Sequence, residues 1–313
     1  MARDLPEIGF GLPVSGSWAT PPTMVHVARR AEALGYASLW TFQRTLTPAA
    51  DGHHGGSPAF RSVHDALLPL ALVAGHTERI RLGPATICAP LTPPAQLAKA
   101  LTTLDHLCGG RLSAGLSIGW MAEEYAAAGV PFEGRGARME EYLHCLTALL
   151  TDDPVAFEGE HYTVPPSHNA LRPLQQPHPP VLLGGSVPAA LRRAGRLAQG
   201  WIGGGNGAAD DLERTVETVR DGAREAGRDP DAVRVLLRWV VELTDDDPGP
   251  DRSPGTGTAE QVLDDLAALR GRGATEVFVD LNFSRRVGSP DVDPAEALAH
   301  AERVLEALAP GQP

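Results

Sequence analysis

The sequence predicts an α/β fold, and within that class a (β/α)8 TIM barrel with a long loop after its second strand. Three observations predict it. About eight short apolar runs of strand length alternate with about eight segments of helical spacing, the pattern of parallel strands joined by crossover helices. The chain has 313 residues, 42% of them apolar, which suits one large barrel core or two ordinary domains. It carries no internal repeat and no obvious linker, so a single domain over residues 1–313 is expected.

The elements follow in order. Residues 7–12 read as the first strand, stopped by Pro13. Thr20 caps a helix opened by Pro21 and Pro22 that runs to residue 34, where Gly35 ends it. Residues 36–42 form the second strand. The stretch 43–63 is polar, rich in Gly, Pro and His, and longer than a routine connection, so it reads as a lid or a pocket wall. A helix over 64–75 shows apolar spacing at Leu67, Leu68, Ala71 and Leu72.

Residues 79–88 make the third strand and 93–107 the next helix. Gly109 and Gly110 suit left-handed positions that close it. The fourth strand, 111–118, is followed by helices over 121–128 and 136–150. Residues 157–164 suggest a small hairpin outside the main repeat. Then come strand 181–183, helix 188–197, strand 200–202, helix 210–226 and strand 233–243. The acidic, Pro- and Gly-rich stretch 244–257 reads as mobile and solvated. Thr258 caps a helix to residue 270. Strand 275–281 and helix 294–308 complete the series.

Composition excludes several functions. A net charge of −12 argues against nucleic-acid binding. No run of 18 apolar residues exists, so no membrane span is expected. Cys88, Cys108 and Cys145 are widely spaced and form no C-x-x-C. Their odd number and the absence of a signal peptide point to a reducing, cytoplasmic setting. Lys99 is the only lysine, so Schiff-base chemistry is excluded elsewhere. His53-His54 has no carboxylate or third His at ligand spacing and reads as a solvated loop pair, so no metal is expected. Glu123-Glu124 reads as an ordinary charge pair at a helix start. No GxxxxGK[ST] loop occurs.

Two stretches can bind something. Gly184-Gly185-Ser186 ends a strand and starts a helix, with Ser186 as its cap. Exposed N–H groups and the helix dipole there suit phosphate, although a purely structural cap fits as well. Ser117 to Trp120, with Gly119 between, makes a second such exit from a strand. Small residues there let something flat approach the backbone, though a plain Gly-rich turn reads the same way. Two such sites at one barrel mouth suit a long phosphorylated cofactor. Trp120 is then available to stack on a ring, or is a core residue.

Several blocks resemble the bacterial luciferase-like monooxygenase superfamily. They are Ala37-Ser38-Leu39-Trp40, Thr77-Glu78-Arg79-Ile80-Arg81-Leu82-Gly83, Leu104-Asp105-His106-Leu107-Cys108-Gly109-Gly110-Arg111-Leu112, Gly119-Trp120, Gly129-Val130-Pro131-Phe132, Arg135-Gly136-Ala137-Arg138, Pro177-His178-Pro179-Pro180, Gly184-Gly185, Pro188-Ala189-Ala190-Leu191 and Gly200-Trp201. They stand in the family's order over about residues 5 to 205. The tail block Gly273 to Val279 fits too. The resemblance implies a barrel with an inserted segment, commonly a homodimer. It also implies a flavin or deazaflavin at the carboxyl end of the strands and a small-molecule substrate. Members use either reduced FMN with dioxygen or coenzyme F420 for hydride transfer.

Thr41-Phe42-Gln43-Arg44 resembles the F420 group, whereas many FMN members carry a Glu-His-His type sequence there. Gln43 and Arg44 fall where the family's F420-dependent glucose-6-phosphate dehydrogenase has Asp-His, and Trp120 falls where that enzyme has a glutamate proton donor. That mechanism and a sugar phosphate substrate are therefore disfavoured. The resemblance also implies a bulge with a cis peptide at Ala85-Thr86, under the central ring of the cofactor. It implies a cofactor set of Gln43, Ala85, Thr86, Ser117, Gly119, Trp120, Gly184, Gly185 and Ser186.

Arg44, Arg61, Arg135 and Arg138 are candidates for a phosphate or anionic tail, or else for surface ion pairs. His53, His54 and His64 are candidates to protonate a substrate. Gln43, Arg44, His54 and Trp120 are thus the residues to consider for the chemistry itself. A cofactor that carries the hydride chemistry accounts for the lack of a triad or metal cluster. The expected function is hydride transfer between reduced F420 and a small organic substrate. The alternatives are an FMN-dependent monooxygenase and a barrel that has lost its cofactor.

Overall fold

The computed structural model describes residues 3–49 and 57–310. The strands are β1 (Glu7–Gly11), β2 (Ser38–Thr41), β3 (Arg81–Pro84), β4 (Ile87–Cys88), β5 (Ala114–Ser117), β6 (Val155–Glu158), β7 (Thr163–Ser167), β8 (Val181–Gly184), β9 (Gly200–Gly203), β10 (Arg234–Trp239), β11 (Glu242–Leu243), β12 (Thr256–Gly257) and β13 (Glu276–Val279). The helices are α1 (Pro21–Ala33), α2 (Leu68–Ala74), α3 (Pro94–Leu107), α4 (Ala122–Ala127), α5 (Arg135–Thr151), α6 (Pro188–Leu197), α7 (Leu212–Glu225), α8 (Ala259–Gly271) and α9 (Pro294–Ala307).

The main sheet is parallel, in the order β3-β2-β1-β13-β10-β9-β8-β5-β4. β3 and β4 are two pieces of one wall strand, parted at Ala85-Thr86, whose peptide is cis. A parallel bridge between Leu82 of β3 and Leu112, just before β5, links the two sides of the sheet, so the wall closes into the expected barrel. Glycine occupies the left-handed positions at Gly109 and Gly110, as expected. Thr20 caps α1, and Thr258 forms a capping box with Gln261 on α8.

The strand period of two sorts the barrel interior into layers. Ser38, Arg234 and Glu276 lie at the bottom. The Glu276 carboxylate is buried between Arg81 at 3.1 Å and Arg234 at 2.8 Å, so the charge at the closed end is compensated. Two residues on, Trp40, Leu236 and Phe278 pack with Ala85, Leu182 and Ile202 into a middle layer. Burying each large side chain contributes about 1.5–3 kcal/mol. Two residues further come Phe42, Arg238 and Asp280. They form the floor of the mouth.

Several boundaries differ from the expectation. The helix expected over 64–75 begins only at Leu68, because Asp65 Oδ1 accepts the N–H groups of Leu67 and Leu68 and sets the first turn. Its buried face is Pro69, Leu70, Val73 and Ala74, while Leu68 is 71% exposed. Strand 233–243 divides, since the chain turns after Trp239 and β11 pairs with β12. The stretch read as mobile is therefore tied down, further by Arg252 Nη1 2.7 Å from Asp265. The hairpin is wider than expected and pairs β6 with β7. The long connection after β2 contains a 3-10 turn over Pro58–Arg61, and His53 and His54 lie outside the described residues.

Candidate functional site

The carboxyl ends of β2, β4, β5 and β8 meet at one side of the mouth. Gln43 follows β2, and its Oε1 accepts the main-chain N–H of Cys88 at 2.6 Å. Thr86, beside the cis peptide, donates to Ser117 Oγ at 2.7 Å. A Cβ on Gly184 would stand 3.3 Å from Thr86 Cγ2 and 3.4 Å from Ser117 Cβ. The three residues therefore line a shallow slot that a larger side chain would fill. Gly119 has φ +68, and a Cβ there would meet Cys88 Sγ at 2.5 Å, so only glycine lets the chain turn this close to β4.

Beyond the slot, Trp201 Nε1 donates to the Gly185 carbonyl at 2.7 Å. Ser186 was expected to cap α6. Instead Val187 occupies the cap position, and no side chain caps the helix. Gly185, Ser186 and Val187 are exposed. Pro188 carries no N–H and the Ala190 N–H donates to the Val187 carbonyl at 2.9 Å, so what this end of α6 offers an anion is its dipole and the exposed main chain of residues 185–187. The slot and the open helix start fit a flat ring and a phosphate, respectively.

Arg44 and Glu124 form a buried pair beside Gln43, Nη1 to Oε2 at 3.2 Å. Glu124 also accepts the Thr45 N–H at 2.7 Å. Glu124 is thus not an ordinary helix-start charge; the fold folds it inward onto Arg44. Burial pulls the Arg44 guanidinium below its usual pKa, against the opposing pull of Glu124. Its Cζ lies 4.5 Å from the Phe60 ring centroid and 4.8 Å from that of Trp120. Trp120 is 54% exposed and so is not a core residue.

The other arginines considered for phosphate are engaged within the chain. Arg61 pairs with Asp291, Arg138 donates to the Pro131 carbonyl at 2.6 Å, and Arg135 lies 3.9 Å over Phe132. His64 Nε2 is 2.8 Å from the Ala19 carbonyl oxygen. Burial pushes the Cys88 thiol up to about 12, so it supplies no thiolate near neutral pH. Among the described residues, no group of three or more His, Cys, Asp or Glu is placed to hold a metal ion.

The reading by motif missed Arg238, Asp280 and the ring set Phe42, Phe60 and Phe283. Arg238 Nε lies 3.1 Å from Asp280 Oδ2, and both side chains are largely buried. Phe283 stands 4.9 Å from Phe42 and 5.6 Å from Phe60, between ring centroids. The signal was present for one of them: Arg234 and Arg238 are four apart on one strand, so both face inward.

The sequence profile described as luciferase-like monooxygenase matches residues 8–248. The chain belongs to the luciferase-like monooxygenase family. Members of this luciferase-like family are F420- or FMN-dependent oxidoreductases, and the chain is an enzyme of that kind. An uncharacterised protein of Mycobacterium tuberculosis is 30% identical over 282 residues, 87% of this chain and 89% of that one. The F420-dependent glucose-6-phosphate dehydrogenase of Nakamurella multipartita is 30% identical over 77% of this chain and 69% of its own length. The FMNH2-dependent dimethylsulfone monooxygenase of Pseudomonas putida is 32% identical over 56% of this luciferase-like chain and 47% of its own.

Solved structures share the luciferase-like fold. An F420-dependent secondary alcohol dehydrogenase in complex with an F420-acetone adduct superposes with TM-score 0.76 at 18% identity, covering 97% of this chain and 99% of that one. A monooxygenase from Streptomyces bottropensis gives 0.75 at 19% identity with the same coverage.

Proposed function

We propose that the protein is an oxidoreductase that transfers a hydride between reduced coenzyme F420 and a small organic substrate. The observation that carries this reading is the slot of Thr86, Ser117 and Gly184 beside the uncapped start of α6. F420, when bound, supplies the hydride chemistry. Gln43, Ala85, Thr86, Ser117, Gly119 and Trp120 would hold its ring, and the main-chain donors of Gly185 and Ser186 its phosphate. The chain's part is to bind, orient and exclude water.

F420 is favoured over FMN on two grounds. The Gln43-Arg44 end of β2 lacks the histidines of many FMN members. The F420-dependent dehydrogenase also matches more of this chain than the FMNH2-dependent relative, 77% against 56%. The 32% identity to that relative nonetheless supports FMN with dioxygen as the second reading. Titration with oxidised F420 and with FMN, then turnover with each reduced form with and without dioxygen, decides between them. F420 binding with oxygen-independent turnover is expected. Oxygen-dependent turnover with FMN alone would replace F420, and binding of neither would favour a barrel that has lost its cofactor.

We also propose a cytoplasmic homodimer. No helix among the described residues is long and apolar enough to cross a membrane. Leu68 and Leu107 are 71% and 55% exposed, beside an apolar groove of about 610 Å3 between α2 and α3. A second copy placed there would remove that surface from water.

A further inference from the structure

The floor of the mouth holds a group that the cofactor reading leaves unused. Arg238 Nη2 donates to the carbonyl of Ala85, at the cis peptide. Its Cζ lies 4.7 Å from the Phe283 ring centroid and 5.8 Å from that of Phe42. Nε is shielded from solvent, yet the side chain is 18% exposed. The open part of the guanidinium is therefore its outer edge. Among the described residues, none accepts a hydrogen bond from Nη1.

Asp280 cannot turn to serve Nη1. Its Oδ1 accepts from Asn282 N at 3.1 Å and from Asn282 Nδ2 at 2.8 Å. Asn282 is itself fixed, accepting the Val14 N–H at 3.0 Å and donating to the Leu12 carbonyl at 2.9 Å. The pair is thus held rigidly and sums to zero charge. Above it stand partly exposed rings from separate segments: Phe283, Phe60 and Trp120, with Phe60 and Trp120 6.4 Å apart.

We propose that this ring wall and Arg238 form the substrate half of the mouth, and that it takes a flat, neutral, conjugated carbonyl compound. The carbonyl oxygen accepts from Arg238 Nη1, and the ring lies against Phe283 and Phe60. Nη1 lies on the open edge of the guanidinium without an acceptor in the chain, so its N–H groups are left to donate to a ligand. A second carboxylate would leave surplus negative charge beside Asp280, so a neutral oxygen suits the site better. Aromatic walls favour flat partners by stacking and edge contacts. The proposal rests on the reading of the mouth as a redox site.

The full-length protein is titrated with 2-acetylnaphthalene, 2-ethylnaphthalene and 2-naphthoate by calorimetry, with and without oxidised F420. The ketone is expected to bind about tenfold tighter than the hydrocarbon, and tighter than the carboxylate. Arg238→Met should abolish the preference while leaving hydrocarbon affinity unchanged. Phe283→Ala should weaken ketone and hydrocarbon alike, which keeps a test if Arg238→Met does not fold. Equal binding of ketone and hydrocarbon, a preference that survives Arg238→Met, or tightest binding of the carboxylate would overturn the proposal. Failure of F420 to bind with ketone preference intact would remove the cofactor reading alone.

Discussion

Gln43 Oε1 accepts the main-chain N–H of Cys88 at 2.6 Å, so one side chain ties the end of β2 to the far side of the β3-β4 break. Its removal leaves a partly buried donor unpaired, at a cost of about 1–3 kcal/mol. Gln43→Leu should lower the urea midpoint accordingly and weaken F420 binding, whereas Gln43→Glu, which keeps an acceptor, should retain most of both. Leucine and glutamate variants of equal stability would show that this bond does not hold the bulge.

Arg44 and Glu124 are buried together at 3.2 Å. Glu124→Gln strands the guanidinium, and a loss of about 3–5 kcal/mol is expected. The double variant Arg44→Met with Glu124→Leu should recover most of that loss. Chemical denaturation of Glu124→Leu, Arg44→Met and the double variant reads the coupling directly. Additive losses would mean that the pair is not coupled.

Glu32 Oε1 accepts the N–H groups of Glu78, Arg79 and Ile80 at 2.7–2.9 Å. Partial burial pushes its carboxyl up, but these donors outweigh it and hold it below the ordinary value of 4.5. A depressed folded-state value means the contribution is complete above 4.5 and fades as pH falls through the lower folded value. Glu32→Gln should therefore be less stable than the parent at neutral pH, with the gap closing in acid. Unfolding midpoints measured from pH 7 down to about pH 3 test this, and a constant gap would contradict it.

Leu68 and Leu107 offer their side chains to solvent on the outer face of α2 and α3. Leu68→Glu with Leu107→Glu should convert the proposed dimer to a monomer of 33.0 kDa without loss of fold. Light scattering after size exclusion gives the mass. A parent that is already monomeric would refute the dimer.

Much of the barrel was legible in the sequence. Strand-length apolar runs, Thr20 and Thr258 as caps, and Gly109-Gly110 as a helix stop depend on contacts only a few residues apart. Such local rules act before any long-range packing. The resemblance to the family placed the cis peptide at Ala85-Thr86. Helix phase was not legible for α2, because Asp65 shifts its start and turns Leu68 outward.

The order of elements, their caps and the end of the barrel that opens were determined by the chain on its own, since each follows from local spacing and strand direction. Tertiary structure alone decided that Glu124 turns inward to Arg44, 80 residues away, and that Arg238 stands between Asp280 and Ala85 beneath the rings. Those pairings come from strands and loops far apart in sequence. Only closure of the barrel gives them a common, water-poor space in which a charge must find a partner.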